Sequence, residues 1–186
     1  MKEQIAIFGG SFDPPHIGHI NAVQYILNNW CTIDKVLVIP CVTHAFGKDL
    51  SDYNQRLCMA DIAFYIFNSE LVDVIDNPLK DKLKEDEREY SIDLLNALKK
   101  NCDADYHLAV GSDISREERV QWKCYQDLLC KFGFIDIPRG VEGSWIPDCS
   151  STEIRKGISE GDFISVDKFL PVEVRDYIVK RKLYQK

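Results

Sequence analysis

No stretch of this sequence is apolar over anything near the length of a bilayer crossing, which excludes a conventional membrane-spanning helix. The first residues pass straight into a charged pair, Lys2-Glu3, and then a strand-like run; they carry no signal-peptide pattern, so a cytoplasmic address is the expectation. Positive charge is not in excess: 23 Lys and Arg stand against 30 Asp and Glu, a formal charge of −7, which argues against a general nucleic-acid binder. Seven cysteines are scattered without a Cys-x-x-Cys pair, so they make neither a disulfide framework nor a zinc site. Cys31, Cys41, Cys58 and Cys130 lie within apolar stretches and are expected as small core residues in a reducing compartment. Internal repeats, low-complexity tracts and linkers long enough to divide the chain are all lacking. The 186 residues, 45% hydrophobic and 28% charged, therefore predict one globular domain over 1–186.

What is present begins with residues 5 to 21. Ile5 to Phe8 is a short apolar run flanked by charge and by Gly9-Gly10, which reads as a buried parallel strand. The two glycines allow a sharp turn and let the backbone approach a ligand with no Cβ in the way. After Pro14-Pro15, the apolar positions Ile17, Ile20, Val23 and Tyr25-Ile26-Leu27 suit a helix with one buried face. His16 and His19 fall on one side of its first turn. Free backbone N–H groups and the positive dipole end favour an anion there, and two imidazoles add directional donors. The expectation is a phosphate cradle, of a kind distinct from the Walker loop and from the Gly-x-Gly-x-x-Gly fingerprint.

The rest of the chain alternates. Lys35 to Pro40 is a second buried strand, reached through a right-handed βαβ unit, and the loop 41–48, containing His44, leaves its carboxyl end. A helix follows over 51–68, capped by Ser51 or Asp49, then a strand from Leu71 to Ile75. Residues 80–89 are nearly all charged and read as a solvated loop or loose helix. Ser91 is expected to cap the next helix, which leads to a strand from Tyr106 to Val110 ending in Gly111-Ser112-Asp113. A helix over 117–131 carries Trp122, a strand runs from Lys131 to Ile137, and a closing helix starts with Pro171 at its first position. Alternating strands and helices predict an α/β, Rossmann-like, doubly wound parallel sheet of about five main strands with helices on both faces.

A second phosphate argument comes late, at Ser150-Ser151-Thr152-Glu153-Ile154-Arg155. Small hydroxyl residues open a helix whose first-turn N–H groups are free, and Arg155 lies one turn on, close enough to share an oxyanion with them. Read by itself, the stretch is equally an N-cap with Glu153 nearby. Asp113, at a strand's carboxyl end, offers an acceptor suited to ribose hydroxyls. The acidic residues concentrate at 80–90 and 160–176, away from the first motif, so the net charge does not oppose an anionic substrate.

The spacing Gly10-x-Phe12-x-Pro14-x-His16-x-Gly18-His19 resembles the signature of the nucleotidylyltransferase superfamily with the His-x-Gly-His motif. Residues 150–155 resemble that superfamily's Ile-Ser-Ser-Thr-x-Ile-Arg motif, with Cys149 at the Ile position. Further resemblance, over most of the chain, is to nicotinate (or nicotinamide) mononucleotide adenylyltransferases. It runs through Lys48, Arg56-Leu57-Cys58-Met59, Tyr90-Ser91-Ile92-Asp93-Leu94, Gly111-Ser112-Asp113, Trp122, Arg139-Gly140 and the tail to Leu183-Tyr184. The resemblance implies ATP binding by Gly9, Gly10, Ser11, Phe12, His16, Gly18, His19, Gly111, Asp113, Ser150, Ser151, Thr152 and Arg155. It implies catalysis by His16, His19 and Arg155, and mononucleotide binding by Lys48, Tyr90, Ser91, Trp122 and Arg139. It further implies Mg²⁺ carried by the nucleotide, with no protein metal site, and a 151–186 segment that completes the phosphate site.

The expected reaction is transfer of AMP from ATP to nicotinate mononucleotide. Partners are then ATP and a pyridine mononucleotide, with neither nucleic acid nor membrane, and an oligomer is compatible. Two departures, the loop at 44–48 and Arg139 following rather than preceding Pro138, bear on which pyridine nucleotide is taken. The same chemistry on nicotinamide mononucleotide or phosphopantetheine, a cytidylyl transfer, and a nucleotide-binding regulatory module stay open at this point.

Overall fold

The computed structural model describes residues 2–44, 47, 49–84, 87–139 and 144–185. Five strands, β1 (Gln4–Gly10), β2 (Lys35–Pro40), β3 (Val72–Val74), β4 (Asp105–Gly111) and β5 (Phe134–Ile137), form one sheet in the order β3-β2-β1-β4-β5. Every pairing is parallel, with Ile7 opposite both Leu37 of β2 and Leu108 of β4. Parallel strands need crossovers, and the apolar alternation shows both faces covered. Ala6, Phe8, Val36, Val38, Ala109 and Ile135 face one core; Ile5, Ile7, Leu37, Ile39, Leu108 and Val110 face the other.

On the first face lie α1 (Ile17–Asn29) and α2 (Tyr53–Phe64), joined by α6 (Ser151–Ser159), α7 (Phe163–Asp167) and α8 (Val172–Arg181). On the second lie α3 (Ser91–Asn101) and α5 (Tyr125–Lys131), with the short α4 (Arg116–Arg119) leading into α5. The doubly wound expectation holds. Strand order reverses between β1 and β4, and an open parallel sheet offers its ligand crevice at the carboxyl ends of the strands flanking that point. The residues following β1 and β4 are those of the first motif and of Gly111-Ser112-Asp113. Among the described residues, no helix is long and apolar enough to cross a membrane.

Several local expectations are corrected. Asp52, rather than Ser51 or Asp49, caps α2, its carboxylate accepting from Gln55 N–H at 3.1 Å. Tyr90 occupies the N-cap of α3, so Ser91 is its first helical residue, and Pro171 is the N-cap of α8 rather than its first position. The helix expected over 117–131 is broken: Cys124 takes a left-handed conformation (φ 55°), and Trp122 sits in the connecting turn. The third and fifth strands are shorter than expected, the latter because α5 continues through Lys131. Cys31, Cys58 and Cys130 are exposed and Cys41 half-buried; the fully buried cysteine is Cys149. All seven are free thiols.

The loops after β1 and β2 are held by a buried cation. Arg56, 1% exposed on α2, donates to the carbonyls of Ser51, Ser11, Cys41 and Val42 at 2.8–3.4 Å. Its role is to fasten backbone. Beside it, Glu89 is also buried. Its carboxylate accepts from Val42 N–H at 2.6 Å and from Asn77 at 2.8 Å, while Asn77 donates to Pro40 O. Burial raises the Glu89 pKa. The charged stretch 80–89 is therefore anchored at its end rather than wholly solvated; residues 85 and 86 lie outside the described residues.

Candidate active site

The turn between β1 and α1 is built around buried Phe12 and Asp13. Phe12 adopts φ 48° and packs its ring edge-on to His19 (5.0 Å), Phe8 (5.7 Å) and Phe64 (5.8 Å). Its side chain is thus core, and what it contributes to the site is the backbone turn and an apolar wall for His19. Asp13 is a tie point. Its carboxylate accepts from Tyr184 Oη at 2.6 Å and from Ser51 N–H at 3.1 Å, and its backbone carbonyl accepts from Arg155. Burial, together with the Asp13 charge and hydrogen bond, raises the Tyr184 pKa, so the phenol stays a donor.

His16 is the N-cap of α1 and almost fully buried. Its ring stacks on that of His19 with centroids 3.8 Å apart. Burial, reinforced by the Arg139 charge, lowers the His16 pKa to about 3. Burial lowers His19 well below its ordinary value too, with His16 and Arg139 adding to the effect. Both imidazoles are therefore neutral, one nitrogen donating and the other accepting. His19 Nδ1 accepts from the His16 backbone N–H at 3.1 Å, which places the His19 proton on Nε2.

The backbone of this helix opening is less available than expected. Ile17 N–H donates to Phe169 O at 2.9 Å, His19 N–H to His16 O at 2.9 Å, and Gly18 N–H to Cys149 Sγ. The anticipated cradle of free first-turn N–H groups is thus occupied from within, and the imidazoles remain as its donors. Gly18 has a packing reason: a Cβ there would lie 3.0 Å from the His16 ring and 3.2 Å from Cys149 Sγ.

The second opening lies against the first. Ser151 Oγ donates to Pro14 O at 2.9 Å, Arg155 reaches Asp13, and Cys149 Sγ is 3.3 Å from His16 Nδ1. Ser150 is the cap, accepting from Glu153 N–H at 3.2 Å and donating to the Glu153 carboxylate at 2.9 Å. The Ser150 and Ser151 hydroxyls are therefore engaged. The N–H groups of Ser151 and Thr152, in the first turn of α6, have no intrahelical acceptor, and Thr152 is exposed. They sit at the positive end of the helix, where an anion is favoured.

Arg139 spans the crevice between the two openings and β4. Its guanidinium donates to Cys149 O at 3.2 Å and lies 3.7 Å from the Asp113 carboxylate. Ser112 Oγ is bonded to both the backbone N–H and the carbonyl of Arg139, stapling the loop after β4 to the loop after β5. A Cβ on Gly111 would meet Asp113 Oδ1 at 2.2 Å, so the fold-back of Asp113 over the strand end requires glycine there. Gly9, exposed at the end of β1, has open space where a Cβ would stand; Gly10 and Ser11, half-buried, complete the turn. Each arginine of the crevice is thus paired with one aspartate, and the neutral histidines leave room for incoming negative charge.

The cytidylyltransferase-like family model matches residues 7–157, which include both openings. The chain is 31% identical, over 98% of both proteins, to a probable nicotinate-nucleotide adenylyltransferase of Hydrogenobaculum sp.. It is 30% identical to one from Enterococcus faecalis, over 99% of this chain and 86% of the relative. The chain belongs to the nicotinate-nucleotide adenylyltransferases of the cytidylyltransferase-like family. The fold agrees. The Plasmodium falciparum nicotinic acid mononucleotide adenylyltransferase complexed with NaAD superposes with TM-score 0.76 at 23% identity, covering 98% of this chain and 97% of that one. The same enzyme complexed with APC gives TM-score 0.73 over the same shares.

Within this family frame, the residues expected to bind the mononucleotide form a second group. Lys48 and Gly140 lie outside the described residues. Tyr90 is half-buried at the start of α3, and Lys123 Nζ sits 4.6 Å above its ring while pairing with Asp93 at 2.9 Å. Next to Lys123, Trp122 is half-buried and edge-on to Phe134 at 6.3 Å. Lys123 therefore ties the start of α3 to the turn that carries Trp122, and Tyr90 and Trp122 pack against the same core. Arg139, by contrast, stands with the histidines and Asp113 in the middle of the crevice. His107 bonds Gln4 Oε1 across the β1–β4 ladder at 2.8 Å and is structural. The network of Arg56, Glu89 and Asn77 and the Asp13 tie escaped sequence reasoning. The charged Arg56 on the otherwise apolar face of α2 was the one available signal.

Proposed function

We propose that the protein transfers the AMP moiety of ATP to the 5′-phosphate of nicotinate mononucleotide, forming deamido-NAD and pyrophosphate for NAD biosynthesis. The observation that carries this reading is the contact of the two helix openings: Ser151 on Pro14, Arg155 on Asp13, and Cys149 on His16. They bring the imidazoles and the α6 N-terminus to one place at the carboxyl end of β1. An oxygen of the acceptor phosphate forms the new bond to the α-phosphorus, in line with the departing pyrophosphate oxygen. A phosphate monoester is already ionised at neutral pH, so no strong base is required. What the chain supplies is alignment and charge stabilisation. His16 and His19 donate to phosphate oxygens, the N–H groups of Ser151 and Thr152 do the same from α6, and Arg155 and Arg139 offset charge on the triphosphate.

Asp113 accepts from ribose hydroxyls, Gly9 permits close approach of the nucleotide, Gly111 lets Asp113 fold over the strand end, and Tyr90, Ser91 and Trp122 flank the pyridine ring. The chain acts as one nucleotidylyltransferase domain, its 151–186 segment completing the phosphate site. Among the described residues no three His, Cys, Asp or Glu side chains cluster to hold a metal. Mg²⁺ would then come with the ATP, held by its phosphates and by water, and would offset phosphate charge. Free thiols throughout fit a reducing cytoplasm.

The test is pyrophosphate release from ATP with nicotinate mononucleotide, nicotinamide mononucleotide or phosphopantetheine, and from CTP with its acceptors. Release fastest with ATP and nicotinate mononucleotide is expected. Release only with phosphopantetheine or only from CTP, or with none of them, overturns the proposal.

A further inference from the structure

The His19 tautomer is set by a backbone N–H, a donor no substitution removes; the His16 side chain faces the His19 N–H across the capping box and has, in addition, a second side chain at its Nδ1. That side chain is Cys149, 3% exposed and directly before the cap of α6, with Sγ at 3.3 Å. The sulfur also receives the Gly18 N–H, and the Cys149 carbonyl receives Arg139, so the residue is fixed from both ends. The fit is close: a Cβ on Gly18 would lie 3.0 Å from the His16 ring and 3.2 Å from the sulfur. Burial raises the thiol pKa, which keeps the S–H proton in place. With the Gly18 N–H directed at the sulfur, that proton has His16 Nδ1 as its acceptor.

We propose that Cys149 is a positioning residue for the reaction: its thiol donates to His16 Nδ1, holds the imidazole as the Nε2–H tautomer, and so presents a donor rather than a lone pair to the triphosphate. The opposite tautomer would turn an unprotonated Nε2 towards anionic oxygens and lose a charge-stabilising donor. The residue thus couples the two openings chemically as well as sterically. Isoleucine, the residue of the resembling motif at this position, fills the space and has no proton to give.

The tautomer part stands apart from the substrate assignment; the kinetic part rests on the function proposed above. Long-range ¹H–¹⁵N correlation on the unliganded, ¹⁵N-labelled protein reads the His16 ring near neutral pH. Wild type is expected to show protonated Nε2, Cys149→Ser to retain it, and Cys149→Ala and Cys149→Ile to show a tautomer mixture. In pyrophosphate release, Cys149→Ala is expected to lower kcat about fivefold, the scale of one lost hydrogen bond, with KM for ATP little changed and Cys149→Ser restoring most of the loss. The same tautomer population in Cys149→Ala as in wild type, or protonated Nδ1 in wild type, overturns the proposal. So does an unchanged kcat in Cys149→Ala. If no acceptor supports release, the substrate reading fails while the tautomer result still decides the role of Cys149.

Discussion

The two helix openings of the crevice look alike in sequence and work differently. Both place small or polar residues before a helix, and both were expected to present free first-turn N–H groups. At α1 those groups are taken by Phe169 O, Cys149 Sγ and His16 O, and the opening offers neutral imidazoles instead. At α6 the serine hydroxyls are the groups engaged, by the cap and by Pro14 O, and the backbone is left to donate. The lesson is that a helix N-terminus becomes an anion site only where the surrounding chain does not satisfy it first. One opening is a side-chain device, sensitive to mutation and protonation; the other is a backbone device, sensitive mainly to where the helix sits.

That contrast can be attacked directly. The largest effect is expected at the imidazoles: His16→Ala or His19→Ala should lower turnover by about 10² or more, the scale of a lost charge-stabilising donor. Thr152→Ala, which leaves the α6 N–H groups in place, should cost turnover less than about fivefold. Steady-state pyrophosphate release measures both, and equal losses would break the distinction.

Gly18→Ala is the next test. Alanine favours a helix by about 1 kcal/mol, yet its Cβ would press on the His16 ring and Cys149 Sγ at 3.0 and 3.2 Å. Overpacking of that kind costs about 1–3 kcal/mol, so a net loss of urea stability together with lower turnover is expected. A more stable, fully active variant would show that the His16 pocket is looser than the contacts indicate.

Protonation probes the same opening. The folded protein holds His16 at about 3, below the 6.5 of the free side chain, so the unfolded chain takes up the proton first as pH falls. Stability should therefore drop as pH descends from 6.5 towards 3. His19 acts in the same direction, and each histidine contributes up to about 1.4 kcal/mol per pH unit. Urea midpoints for wild type and His16→Asn check this; the variant should lose part of the slope, and an unchanged slope would refute the neutral burial of His16. The smallest effect is expected at the α6 side chains. Ser151→Ala removes one hydrogen bond to Pro14 O and should reduce stability by about 1 kcal/mol, again read from urea unfolding.

Much of this architecture was legible in the sequence because it depends on local pattern. Apolar runs at Ile5–Phe8 and Lys35–Pro40, separated by helix-length segments, dictate parallel strands, while the strand order and its reversal between β1 and β4 came only with the structure. The histidine pair and Ser150–Arg155 were recognisable from spacing, and the structure brings them together. What escaped was nonlocal or a matter of helix phase. Cys58 lies in an apolar stretch, but the buried face of α2 runs through Arg56, Met59, Ala60 and Ala63, which turns residue 58 outward. The role of Arg56 could not be read from the sequence, because its acceptors are backbone carbonyls of other loops, invisible to any hydrophobic pattern. The break before α5 has no Gly or Pro to announce it, since Cys124 itself takes the left-handed conformation. The loss of the α1 N–H groups depends on Phe169, which only the fold brings near Ile17.

A crystal structure with a non-hydrolysable ATP analogue tests the central claim most directly. The account predicts a single triphosphate whose oxygens lie about 3 Å from Nε2 of His16 or His19 and, at the same time, from the N–H of Ser151 or Thr152. A triphosphate held at one opening only, with the other more than about 6 Å from any of its oxygens and no water between, would contradict it.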